Sequence, residues 1–123
     1  MNIALALGPE RSPVASFGKQ CGVKHAVGHL SLEPKPELDI GDDQQPFSTP
    51  SLTRYKAQYE QNGYRLSVIE SRPPMEKIKL AQSGRDDEIA VICEFIRNMG
   101  AVGIPVWCPA WMPIHFVIRT SFD

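Results

Sequence analysis

Residues 85–108, RDDEIAVICEFIRNMGAVGIPVWC, carry in one stretch the pattern that decides the fold class. Asp86, Asp87 and Glu88 cluster where a helix begins and its dipole is positive, and Arg97 lies toward the end, where a cation is favoured. Ile89, Ile92, Cys93 and Ile96 recur at helical spacing and are expected to form the buried stripe. Gly100 is the expected stop. Ile104 to Cys108 follows as an apolar run without alternation, as a strand covered on both faces requires.

Working outward, the same order recurs upstream. Thr49-Pro50 opens a helix, Leu52, Tyr55 and Tyr59 give its stripe, Gly63 closes it, and Tyr64 to Ile69 is the next strand. Earlier, Ser12-Pro13 supplies an N-cap and a first-turn proline, and Val14, Phe17 and Cys21 recur at helical spacing. Gly22 ends that helix before the apolar segment Val23 to Val27, and Asn2 to Leu7 is the first strand. Three helices thus each finish at a glycine and lead into a strand. A β-α-β-α-β-α-β order calls for parallel strands joined by right-handed crossovers, so the chain is α/β. Local pattern leaves a doubly wound sheet and a barrel both open, because four strands begin either one.

Composition narrows the function. At 123 residues, 42% hydrophobic and 22% charged, the chain is expected to form one soluble globular domain. Thirteen basic residues against fourteen acidic ones give a net charge of −1, without the single-sign field that nucleic acid or an anionic membrane would need. The apolar start Met1 to Leu7 has no basic lead-in and breaks at Gly8-Pro9, and no run approaches the roughly 20 apolar residues of a membrane span. Cys21, Cys93 and Cys108 are odd in number and unpaired in spacing, which points to buried thiols and a reducing cytoplasm.

Two stretches interrupt the rhythm. Residues 31–50 hold Pro34, Pro36, Pro46 and Pro50 among several acids, and residues 71–84 open with Pro73-Pro74; both are expected to be long loops after strands. Gly18-Lys19 lacks the glycine spacing of a phosphate loop, and no G-x-G-x-x-G follows the first strand. His25 and His29, four apart, fall on a strand and its exit rather than on a helix, which argues against a shared metal. Glu70 directly follows an apolar strand, where α/β barrels place working residues. Its carboxylate suits sugar hydroxyls or proton transfer, and equally a salt bridge to Lys77, Lys79 or Arg85. Arg119 and Thr120 suit a substrate carboxylate, through a forked guanidinium and a hydroxyl. Trp107 and Trp111 flank the last strand exit, where aromatic faces pack on a sugar or enter the core.

From residue 64 to 121 the order of residues is similar to a known family. Ser67-Val68-Ile69-Glu70-Ser71, Glu76, Ile78-Lys79-Leu80, Gly84-Arg85-Asp86, Ile96-Arg97-Asn98-Met99-Gly100, Gly103-Ile104, Val106, Cys108, Met112-Pro113 and Arg119-Thr120 resemble the third βα region and beyond of mannonate dehydratases. Met75 stands where that family commonly has histidine, Pro109-Ala110-Trp111 where it has Tyr-Asn-Phe, and Phe116-Val117 where it has Asp-Trp. The resemblance implies the N-terminal half of a (β/α)8 TIM barrel, with about four parallel strands and three helices. It further implies a lyase converting D-mannonate to 2-keto-3-deoxy-D-gluconate and water, with Mn²⁺ or Fe²⁺ in the full-length enzyme. The family's metal ligands lie on later strands, so this chain alone is expected to bind no metal, to lack activity and to self-associate through open edges. Glu70, Arg119 and Thr120 are then the expected substrate-binding residues. A sugar isomerase or epimerase on the same barrel, and a non-catalytic self-associating α/β module, are the competing readings.

Overall fold

The computed structural model describes residues 2–31, 45–71, 73–109 and 111. In chain order the elements are β1 (Ala4–Ala6), α1 (Pro13–Gln20), β2 (His25–His29), α2 (Thr49–Gln61), β3 (Arg65–Ser71), α3 (Glu76–Lys79), α4 (Arg85–Val102) and β4 (Val106–Pro109). The four strands form one sheet in the order β1-β2-β3-β4, and each neighbouring pair is parallel. A doubly wound sheet reverses direction at a switch point, whereas strands added always on the same side, with right-handed crossovers, put every helix on one face. That is the arrangement of successive staves in a β/α barrel, and it resolves the choice that local pattern left open.

Helix starts follow the local chemistry. The Ser12 hydroxyl accepts from the amide of Ala15, and the Ser48 hydroxyl accepts from that of Ser51, each before a proline in the first turn. Between β3 and α4, in the stretch expected to be loop, the one-turn α3 forms, with Glu76 in its first turn and Lys77 and Lys79 in its last. Glu88 ties it to α4 by accepting from the amide of Ile78 at 3.2 Å. The helix α4 runs through Gly100 and ends at Val102, because Gly103, at φ 77°, is the residue that takes the left-handed turn. The expected stop at Gly100 is thereby corrected.

The core lies between the sheet and the helices, where Ala15, Leu52, Tyr59, Phe95 and Met99 meet Ala26, Leu66 and Ile69. Two of the three expected stripes are rotated. In α1 it is Ala15 and Gly18 that are buried, while Val14 is 57% and Phe17 66% exposed and Cys21 is exposed. In α4 Phe95 and Met99 face the sheet, whereas Ile89 and Ile96 are 41% and 49% exposed. Steps of about 100° per residue put these exposed apolar side chains on flanks beside the buried face, where a helix in a closed ring meets its neighbour. The stripe on α2 holds: Leu52 and Tyr59 are buried and Tyr55 packs partly against them.

Strands β2, β3 and β4 begin and end later than expected, which moves His29 and Glu70 from loops into β2 and β3. All three cysteines are free, and Cys21 and Cys108 are exposed rather than buried. Among the described residues, no helix is long and apolar enough to cross a membrane.

Candidate active-site rim

Along β2, Ala26 and Gly28 are buried toward the helices, so His25, Val27 and His29 belong to the opposite face. In β3, Leu66 and Ile69 are buried on the helix side, three apart rather than two. The pairing explains the odd spacing: Ala26 faces Leu66, but Val27 faces Val68, so β3 carries one extra residue at Ser67. The His25 Nδ1 lies 2.7 Å from the Ser67 hydroxyl and braces the bulge. With one residue inserted, His29 lies across from Glu70; an unbroken register would have set it against Ile69.

At the carboxyl ends of the strands, therefore, His29, Glu70 and Cys108 occupy one row across β2, β3 and β4, on the face away from the helices. The Nε2 of His29 lies 3.7 Å from a Glu70 carboxylate oxygen, with the two side chains 61% and 44% exposed. They line an open depression of about 350 Å³ with Leu30, Ser31 and Ser71. The carboxylate thus lies against the His29 imidazole rather than against the expected partners Lys77, Lys79 or Arg85. Trp107 turns the other way. Its ring meets Phe95 edge-on at 5.6 Å, and its Nε1 donates to the Ser71 hydroxyl at 3.1 Å, so it belongs to the core and not to a sugar platform. Trp111 is exposed beside the Lys79 ammonium.

Behind the rim a pair of tyrosines on α2 holds the strand ends. The Tyr55 hydroxyl donates to the His29 carbonyl at 2.7 Å and the Tyr59 hydroxyl to the Leu7 carbonyl at 2.8 Å; the two oxygens are 3.1 Å apart. Burial raises the pKa of both phenols above the ordinary tyrosine value, so both keep their protons and remain donors. Gly28 makes room for them: a Cβ there would come within 2.8 and 2.9 Å of the two hydroxyl oxygens.

Among the described residues, no group of three or more His, Cys, Asp or Glu side chains is arranged to hold a metal ion. Arg119 and Thr120 lie outside the described residues, so of the three expected substrate-binding residues the structure places Glu70 alone. Sequence reasoning weighed His29 only with His25 as a metal pair, on the loop after a strand expected to end at Val27. Its place beside Glu70 comes from β2 running on to His29.

A family model for D-mannonate dehydratase (UxuA) matches residues 1–123. The chain belongs to that family. Among curated relatives, the mannonate dehydratase of Oceanobacillus iheyensis is 33% identical over 101 residues, 82% of this chain and 27% of its own length. That of Streptococcus pneumoniae is 39% identical over 77 residues, 63% of this chain and 21% of its own length. The crystal structure of mannonate dehydratase from Streptococcus suis serotype 2 superposes with a TM-score of 0.70 at 28% identity, over 92% of this chain and 31% of that one. This member of the dehydratase family thus spans about a quarter of the Oceanobacillus relative and under a third of the solved structure. Its four parallel strands and helices agree with part of a TIM barrel.

Proposed function

We propose that this chain supplies the first four strands, with the helical crossovers between them, of a lyase that converts D-mannonate to 2-keto-3-deoxy-D-gluconate and water in the cytoplasm, and that it is inactive alone. The observation that carries the reading is the polar rim of His29 and Glu70 at the carboxyl ends of parallel strands, where β/α barrels do their chemistry, in a chain of the dehydratase family.

In the reaction the C2–H bond breaks, the C3 hydroxyl leaves as water after gaining a proton, and the resulting C2 enol becomes the ketone as C3 takes up a proton. Glu70 accepts hydrogen bonds from substrate hydroxyls, and Arg119 with Thr120 binds the substrate carboxylate. Family members use a divalent metal, Mn²⁺ or Fe²⁺, to acidify the C2 proton. The resemblance puts that ion's ligands on later strands of the barrel, and among the described residues no group of three or more His, Cys, Asp or Glu side chains is arranged to hold it.

The test is formation of a 2-keto-3-deoxy acid from D-mannonate with Mn²⁺ or Fe²⁺. Product is expected from a polypeptide that joins residues 1–123 to the remaining barrel strands, and none from the 123-residue chain. Turnover of an aldose or ketose in place of the sugar acid would sink the substrate assignment, and turnover by the short chain would sink its dependence on the other strands.

A further inference from the structure

Two arrangements, each with two parts, converge on His29. The extra residue in β3 sets Glu70 across from it. The Glu70 carboxylate flanks its Nε2 at 3.7 Å. Its carbonyl is fixed by Tyr55, which is itself backed by Tyr59. Its neighbour Gly28 carries no side chain that would displace those hydroxyls. None of this buries apolar surface at His29, whose side chain is 61% exposed on the open face. A strand end held in this way fixes where the imidazole leaves the backbone, and the carboxylate lies beside the ring.

We propose that His29 is a substrate-contacting residue of the sugar-acid site, that Glu70 orients its ring, and that Tyr55 is a positioning residue acting through the His29 backbone. The inference rests on the lyase reading above and deepens it. The ligand chemistry is that of a polyhydroxy carboxylate: the imidazole N–H donates to a hydroxyl or carboxylate oxygen, while the carboxylate beside it accepts from a neighbouring hydroxyl. A neutral polyol offers the second contact without the charge that favours the first.

Two arms test it. In the 123-residue chain, ¹⁵N-detected spectra of the histidine rings are followed as D-mannonate is added, with mannitol as the neutral control. A saturable shift of the His29 ring is expected with D-mannonate, weaker with mannitol, and lost in Glu70→Gln. The parent ring is expected in one tautomer, and Tyr55→Phe is expected to mix the tautomers, which a merely structural tyrosine would not do. In a barrel that completes these strands, His29→Gln is expected to lower kcat/KM roughly 100-fold, the scale of a proton-handling contact, and Tyr55→Phe to lower it about threefold to tenfold. Parental turnover with His29→Gln, or a His29 ring that does not move while the other histidines and the sheet amides show a folded chain, overturns the inference and leaves the lyase reading standing. Absence of D-mannonate dehydration in the parent barrel overturns both.

Discussion

The middle and the edges of this sheet obey different rules. Helix α2 follows β2 and precedes β3, with α4 packed beside it: the Lys56 ammonium donates to the Val102 carbonyl at 2.9 Å, and Asn98 donates to the Phe47 carbonyl at 2.9 Å. Its stripe is covered, with Leu52 0% and Tyr59 1% exposed. The outer helices α1 and α4 bury a sheet-facing side but leave Phe17 66% and Ile96 49% exposed on their flanks. The chemistry of the side chains is alike in the two regions; what differs is whether a neighbouring unit is there to meet them. Apolar flanks of this kind are the mating surfaces of a ring of helices, and among the described residues β1 and β4 likewise end the ladder.

The sharpest way to break the comparison is at its centre. Leu52→Ala should destabilise the chain by about 2–5 kcal/mol, measured by urea unfolding, since it opens a cavity in a fully covered site. A cost under about 1 kcal/mol would mean the middle is as loosely packed as the edges. Gly28→Ala should cost about 1–3 kcal/mol by forcing the two tyrosine hydroxyls off the strand ends. Tyr59→Phe should cost about 1–2 kcal/mol by leaving the Leu7 carbonyl without its donor.

The same tyrosines set a pH dependence. Their folded pKa values are raised above the ordinary 10.0, so the folded chain keeps protons that the unfolded chain releases. Their contribution is whole below pH 10.0 and is lost as pH climbs above it, so the urea midpoint should fall in that range, and less steeply in the Tyr55→Phe, Tyr59→Phe double variant. The smallest effect belongs to the edges: Phe17→Ser and Ile96→Ser should change the stability of the monomeric chain by no more than about 0.5 kcal/mol. They should instead reduce self-association, read by light scattering. A large loss of stability would show that these flanks are already packed.

Much of this contrast was hidden in the sequence, for a physical reason. Helical spacing finds apolar residues but does not say which neighbour they meet, so Val14 and Phe17 in α1, and Ile89 and Ile96 in α4, read as core and turned out to be flank. The alternation of helix, glycine and strand was legible because Gly22 and Gly63 sit at positive φ just past helix ends, a local requirement. Parallel strands followed from that alternation, but strand order rests on which strands hydrogen-bond to which. Glu70 was legible as an acid closing an apolar strand. Its partner was not, because the pairing of His29 with Glu70 depends on an extra residue in β3 that shows only when β3 is paired with β2.

The inserted Ser67 also governs how roles can be carried from one relative to another. Were β3 to keep every residue but pair without the bulge, Glu70 would turn toward the helices and Ile69 would come out to the rim. A relative lacking the extra residue keeps both on their present sides, one position nearer Leu66. Residue-by-residue matching of relatives in this strand therefore transfers function faithfully only where both chains share the insertion. A gap misplaced by one position would assign the work to a hydrocarbon.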